Sequence, residues 1–311
     1  MTYHPYFRGK QYELITVRET APLLQACGFV PIIEPVKETL NGLERTLTEI
    51  CNADGQAIVL VNPHHGDHSS GGLNISALLA KSFRNGPQIT AGILLKKSMS
   101  VDEAMKCYRE HAAHSPAFVH DGFLFAKELA DALGLKLAET RHIFFDSHGK
   151  LYRKHFAGAY RVLLKDGFKK QKNADYPVLE PYSDLHATYT EEGMDGFGDF
   201  LTVGDDYSEG GGPAYAVAIH ITFIDPTKDD EMFIYHFKSK RMDTPTDTAG
   251  KFQEALDAMI TKLNEPASQI YEGDAIREFR DLHSKRHFPG LGYVKKLSMK
   301  HHVETLAHYL T

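Results

Sequence analysis

Four short aliphatic runs, "VPIIEPV", "AIVLV", "ITAGILL" and "AFVHDG", begin near residues 30, 57, 89 and 117, and each leads into a stretch with helical periodicity. After the first, Leu40, Leu43, Leu47 and Ile50 recur at spacings of 3, 4 and 3, which puts them on one face of a helix. "NISALLAKSF", "SVDEAMKCYREHA" and "LFAKELADALG" follow the other three runs. Strands that alternate with helices pair in parallel, because a parallel pair needs a crossover long enough to hold a helix. The interval of about 25 to 32 residues predicts an α/β, TIM-barrel-like sheet; a doubly wound open sheet is built from the same unit. Local signals agree. Ser100 and Glu103 form a capping-box pair ahead of the third helix, and Gly134 is placed to stop the fourth.

Beyond residue 150 the pattern loosens. "HIFFD" and "YRVLL" start only 18 residues apart, and "YPVLEPYSDLH" reads as a polar connector. "DFLTVG", "AYAVAIHITFI" and "EMFIYHF" read as strands, the last two as an antiparallel hairpin across "DPTKDD". "TAGKFQEALDAMITKL" is an amphipathic helix through Phe252, Leu256, Met259, Ile260 and Leu263, and the region after Pro266 is helical at both ends around "FPGLG". The simplest organisation is one elaborated α/β domain over 1–311, regular over about 28–150 and irregular over 151–311.

A composition of 42% hydrophobic and 24% charged residues is that of a globular chain. No apolar stretch reaches the roughly 18 to 20 residues of a membrane helix, and "MTYHPYFRGKQYE" has no signal-peptide core, so the expected location is the cytoplasm. Cys27, Cys51 and Cys107 lie far apart without a metal or disulfide spacing. Covalent hydrolase chemistry of the GxSxG type, a GxGxxG dinucleotide fingerprint and a P-loop are all missing from the sequence.

In parallel α/β architectures ligands bind beyond the carboxyl ends of the strands. The polar residues there are Glu34 and Lys37, Asn62 to Asp67, Lys96 and Lys97, His120 and Asp121, Asp146 and His148, and Lys165. Glu34 and Asp146 stand directly against "PII" and "IFF", where a carboxylate is expected to be shielded from water. In "NPHHGDHSSGG", His64, His65, Asp67 and His68 are too crowded for all four to reach one ion, so a divalent metal there needs a distant ligand such as Asp146, His148, Asp184 or His186. The alternatives are an anion held by the amides of Gly66, Gly71 and Gly72, or an ordinary loop. Asp184 and His186, two apart, share one side if their segment is extended, and Asp199 sits at a strand start in "GFGDF". His220 and His236 read as hydrogen-bonded strand histidines, and "EGGGPAY" as a lid or a close backbone approach.

Charge is uneven within a formal total of −6: residues 150–172 hold eight Lys/Arg against one Asp, and 191–209 hold seven acids and no base. These blocks are either solvated faces that attract one another or a basic groove beside an acidic flap. Residues 277–302 hold seven Lys/Arg, two acids and four histidines, read first as packing, with "FPGLG" a turn pressed on the barrel, and only second as a nucleic-acid contact.

"YHPYFRGKQYELITVRE", "VPIIEPVK", "SDLHATYTEEGMDGFGDF", "EGGGPAYAVAIH" and "HFPGLGYVKKLSMKHHVE" together resemble, nearly end to end, a bacterial family related to the beta protein family of bacteriophages and bacteria. The resemblance implies a barrel-like fold and a setting in phage or mobile-element conflict, beside a nuclease-like protein encoded nearby. It implies no particular reaction. Two functions are therefore expected. One is acid/base or metal-assisted hydrolysis of an anionic or phosphate-containing ligand, with Glu34, Asp146, Asp184, His186 and Asp199 catalytic and Lys37, Asn62, His64, His65, Lys96, Asp121 and Lys165 binding. The other is a non-catalytic sensor or partner subunit of a defence system; nucleic-acid binding comes third.

Overall fold

The aliphatic runs become strands because both of their faces are covered, one toward a barrel axis and one toward a helix. The computed structural model describes residues 3–84 and 86–311; Met1 and Thr2 of the opening segment lie outside the described residues. The chain begins β1 (Tyr6–Phe7), α1 (Gln11–Ala26), β2 (Ile32–Ile33), α2 (Asn41–Asn52), β3 (Ala57–Leu60) and α3 (Leu73–Ser82). It continues β4 (Ile89–Lys96), α4 (Val101–Glu110), β5 (Ala117–Asp121), α5 (Ala126–Leu133), β6 (Arg141–Phe145), α6 (Lys150–Arg153) and β7 (Tyr160–Leu164). Then come β8 (Leu179–Ser183), α7 (Leu185–Thr188), β9 (Gly196–Gly198), β10 (Ala218–Asp225), β11 (Glu231–Lys238), α8 (Thr248–Leu263), α9 (Asp274–Ser284) and α10 (Leu291–Leu310).

β1 through β7 pair in chain order, all parallel, and β9 follows β7 as the eighth strand. The last seam is closed by a parallel bridge of Tyr3 to Phe197, with His4 N–H donating to Phe197 O at 2.8 Å and Tyr6 N–H to Asp199 O at 2.9 Å. The result is a nearly closed parallel barrel alternating with helices, as the four regular units require. The capping box at Ser100 and Glu103 is present, and Gly134 ends α5 with φ +54°.

The chain divides into two units, Met1–Lys165 with Thr188–Asp199, and Asp166–Ala187 with Phe200–Thr311. The second unit holds a three-stranded antiparallel sheet in the order β10-β11-β8. The hairpin across "DPTKDD" pairs Asp225 with Glu231. Alternate residues Ile219, Ile221, Phe223, Phe233 and Phe237 join Phe252, Leu256 and Met259 of α8 and Ile276 and Phe279 of α9 in one buried cluster. His301 and His302 of α10 bind Thr222 of β10.

Three segments differ from the sequence reading. "DFLTVG" is a turn in which Leu201 has φ +50°, and the strand is the preceding "GFG". A Cβ on Gly198 would lie 2.1 Å from His4 O, so the close approach that closes the barrel selects glycine over the branched residues that mark strands. "YPVLEPYSDLH" supplies β8, an edge strand that tolerates Pro181. In "FPGLG", Phe288 packs on Phe252 of α8 at 5.3 Å, inside the second unit's own core.

The two charged blocks do meet. Glu192 takes Lys150 at 3.2 Å and Arg153 at 2.9 Å, and in the second unit Lys170 donates to Asp206 O at 3.0 Å. Cations of 277–302 are largely spent locally: Lys285 on Asp281, Arg286 on Asp257, and Lys296, buried, over the Tyr293 ring at 3.8 Å. No described helix is long and apolar enough to cross a membrane.

Candidate functional site at the barrel mouth

Glu34, just past β2, is the node of the mouth. It is wholly buried, and its Oε1 accepts the backbone N–H of His64 at 2.8 Å and of His65 at 3.0 Å. Its Oε2 accepts Tyr6 Oη at 3.0 Å and Arg8 Nη1 at 2.5 Å. Burial alone would push this carboxyl up; the His65 ring, the Arg8 guanidinium and the His64 N–H outweigh it and hold it down at about 2. Glu34 is therefore an ionised anchor with every lone pair engaged. His65, half-buried, stands with Nδ1 2.7 Å from Arg8 Nη1 and 3.2 Å from Glu34 Oε1. A neutral ring accepts from Arg8 there, since a guanidinium only donates, and a protonated ring donates to Glu34.

The loop after β3 owes its path to this anchor. Gly66 has φ +72°, and a Cβ on it would lie 2.1 Å from Val36 O; a Cβ on Gly72 would lie 1.5 Å from Val61 O. These glycines permit backbone packing, and Gly71 has nothing within 4 Å of where its Cβ would be. Asp67 accepts Glu38 N–H at 2.7 Å, His68 Nε2 lies 3.0 Å from Lys37 O, and His64 is exposed. Three of the four crowded side chains thus go to separate partners, and the fourth, His64, faces solvent. Among the described residues, no three or more His, Cys, Asp or Glu converge as for a metal ion.

Asn62 extends the sheet instead of facing a ligand: its amide accepts Leu94 N–H at 2.8 Å and donates to Leu94 O at 2.9 Å. Lys96, half-buried at the end of β4, donates Nζ to Pro63 O at 2.8 Å. Burial lowers its pKa, and the charges of Glu34 and Asp121 oppose that fall. Asp121, half-buried, is Lys96's partner in the β4–β5 register. Lys165 follows β7, with its N–H on Gly198 O at 3.1 Å. Arg8, Glu34, His65, Lys96 and Asp121 are thus gathered at one end of the barrel.

Other expected residues make different contacts. Asp146 is exposed, not shielded, because the chain turns outward as soon as β6 ends, with His148 N–H on Phe145 O at 2.9 Å. Lys37 is exposed and lines a cavity against α1 and α2. Asp199 directly follows β9 and accepts Tyr3 Oη at 2.7 Å. Asp184 and His186 do not lie on an extended segment: His186 is in the short helix α7, which Asp184 directly precedes, and Ala187 N–H bonds Asp184 O at 3.0 Å. In the second unit His186 Nε2 meets Asp230 O at 2.8 Å. His220 and His236 are paired through their Nδ1 atoms at 2.7 Å, and His236 Nε2 meets Glu180 at 3.0 Å. Gly210, Gly211 and Gly212 have nothing within 4 Å of a Cβ, so "EGGGP" is no close backbone approach.

Sequence reasoning missed Arg8 and Tyr6 as site residues, because β1 is two residues long and carries no periodicity. The signal was there as "YFRG": two aromatics, a cation, then Gly9 with φ +63° ahead of a helix.

A second polar chain lies between the sheet and α6. Thr140 Oγ1 donates to Leu137 O at 2.7 Å, so it must accept from His142 Nε2 at 2.9 Å. His142 Nδ1 then accepts from His120 Nε2 at 2.9 Å, and His120 Nδ1 from Tyr152 Oη at 2.7 Å. One direction of donation is thereby fixed along four side chains. Burial lowers both imidazoles, His142 to about 3, and raises Tyr152, so the chain is neutral throughout. His148 Nε2 accepts Gly122 N–H at 2.9 Å, and its ring lies 4.1 Å from that of Tyr152.

No family model, curated protein or solved structure matches this chain.

Proposed function

We propose that the barrel mouth binds a small anionic, phosphate-containing ligand, with Lys96, Arg8 and the His64–His65 loop as its donors. The observation that carries this reading is Lys96. It spends one of its three donors on Pro63 O and is half-buried opposite Glu34 and Asp121, so an added anion would restore the charge that burial disfavours. Glu34 is saturated and ionised, so its part is to position Arg8 and the loop. If the bound ligand is hydrolysed, proton transfer falls to Asp121, whose carboxylate accepts no hydrogen bond from a described residue. The saturation of Glu34 also favours a second reading, a non-catalytic sensor in which ligand binding is the whole function. A defence setting with a nuclease-like partner is proposed on the resembling segments alone.

Titration calorimetry with inorganic phosphate, pyrophosphate and mononucleotides tests the site. Lys96→Met is expected to weaken binding at least tenfold with an unchanged melting temperature. Asp121→Asn is expected to keep binding while abolishing any phosphate release. Binding indifferent to Lys96→Met would sink the mouth as the ligand site. Plaque counts with wild-type and Lys96→Met chains expressed in a bacterial host test the setting.

A further inference from the structure

A cavity of about 210 Å³ lies outside the mouth, between α1 and the segment joining β2 to α2. Its size is below the ~300–1,000 Å³ of drug-sized sites, which suits a small molecule. Its floor is apolar, made by buried Leu14, Val36 and Leu43. Its rim is cationic: Arg18 from α1 and Lys37 from the loop both line it, no acidic residue does, and neither cation has an ion-pair partner among the described residues. The amino terminus of α2 opens onto the same space through Leu40 and Gly42, and its N-cap Leu40 has no side-chain acceptor for the first amides. Unpaired cations over an apolar floor fit a molecule with a short hydrocarbon body and one anionic head.

We infer that this cavity is a binding site for a small amphipathic carboxylate, separate from the barrel mouth. The hydrocarbon rests on Leu14, Val36 and Leu43, and the carboxylate meets Arg18, Lys37 and the first amides of α2. The inner wall is Gly9 and Pro35, the residues that directly follow Arg8 and Glu34. A Cβ on Gly9 would lie 2.8 Å from Glu34 O, so this wall is already at contact distance and an occupant bears on the backbone that carries the mouth's ion pair.

The test uses the full chain and sodium hexanoate as the probe, with hexanol and acetate as controls, read by amide chemical shifts in ¹H–¹⁵N spectra. Hexanoate is expected to shift the amides of Gly42 and Leu43 saturably, and hexanol and acetate each to bind at least fivefold more weakly. Arg18→Glu and Lys37→Glu, the first half-buried, the second exposed and both outside the mouth, are each expected to weaken hexanoate at least fivefold. Lys96→Met is expected to leave it unchanged, which separates this site from the mouth. Equal binding of hexanol and hexanoate would overturn the anionic reading. Shifts confined to the mouth, affinity indifferent to both charge reversals, or no saturable shift would overturn the site.

Discussion

At the scale of single residues, one buried carboxylate holds the mouth together. Glu34 is wholly buried and Arg8 is 5% exposed, so each is the other's compensation for lost water. Glu34→Gln keeps the shape and removes the negative charge that faces the buried guanidinium. Breaking such a buried pair costs about 3–5 kcal/mol, and urea denaturation is expected to report a loss of that order. A loss below about 1 kcal/mol would mean that Glu34 does not anchor the site. Asp146, by contrast, read as shielded from its sequence neighbours, is exposed. An apolar flank says that a strand has just ended; whether the chain then continues inward or turns away depends on the following hydrogen bonds, here His148 to Phe145, which the sequence does not display.

At the scale of elements, the Tyr152–His120–His142–Thr140 chain makes one strand-helix layer depend on neutral imidazoles. Their folded pKa values lie below the ordinary 6.5, that of His142 at about 3. As pH falls through 6.5 the unfolded chain takes up protons that the folded chain refuses. Stability is therefore complete above about pH 6.5 and declines toward pH 3, by up to ~1.4 kcal/mol per pH unit for each such histidine. Glu34, held at about 2, keeps its contribution down to about pH 4.5 and does not enter the upper part of that window. Urea midpoints between pH 7 and pH 5 are expected to fall for the wild type and less for His120→Gln/His142→Gln, the remaining slope coming from His220 and His301, which burial lowers as well. An unaltered slope in the double variant would remove the chain as the cause. Elements were legible where periodicity ran for a full helix, as in α2, α4 and α8, or where a hairpin had long apolar flanks, as in β10 and β11. They were not legible where backbone closeness replaced side-chain pattern: β1 has two residues and β9 has three, two of them glycine. The mouth followed suit. Glu34, Lys96 and Asp121 came from apolar runs visible in the sequence, whereas Tyr6 lies in, and Arg8 just after, a strand too short to see.

At the scale of the whole molecule, β7 and β9 are neighbours in the barrel but not in the chain. Asp166–Ala187, between them, belongs to the second unit, whose remainder follows β9. The eighth staff of the barrel is thus the tripeptide Gly196–Gly198. During synthesis on a ribosome, seven staves emerge first and stand with two raw flanks, β1 and β7, until residue 198 is out. At about 5–20 residues per second, the stretch from Leu164 to Gly198 takes roughly 2–7 s, and the nascent chain is open to mispairing for that interval. Nascent chains stalled with residue 175 clear of the exit tunnel are expected to be cut readily by protease, and those stalled with residue 205 clear to resist. Its birth, more than its finished stability, is the vulnerable moment of this barrel.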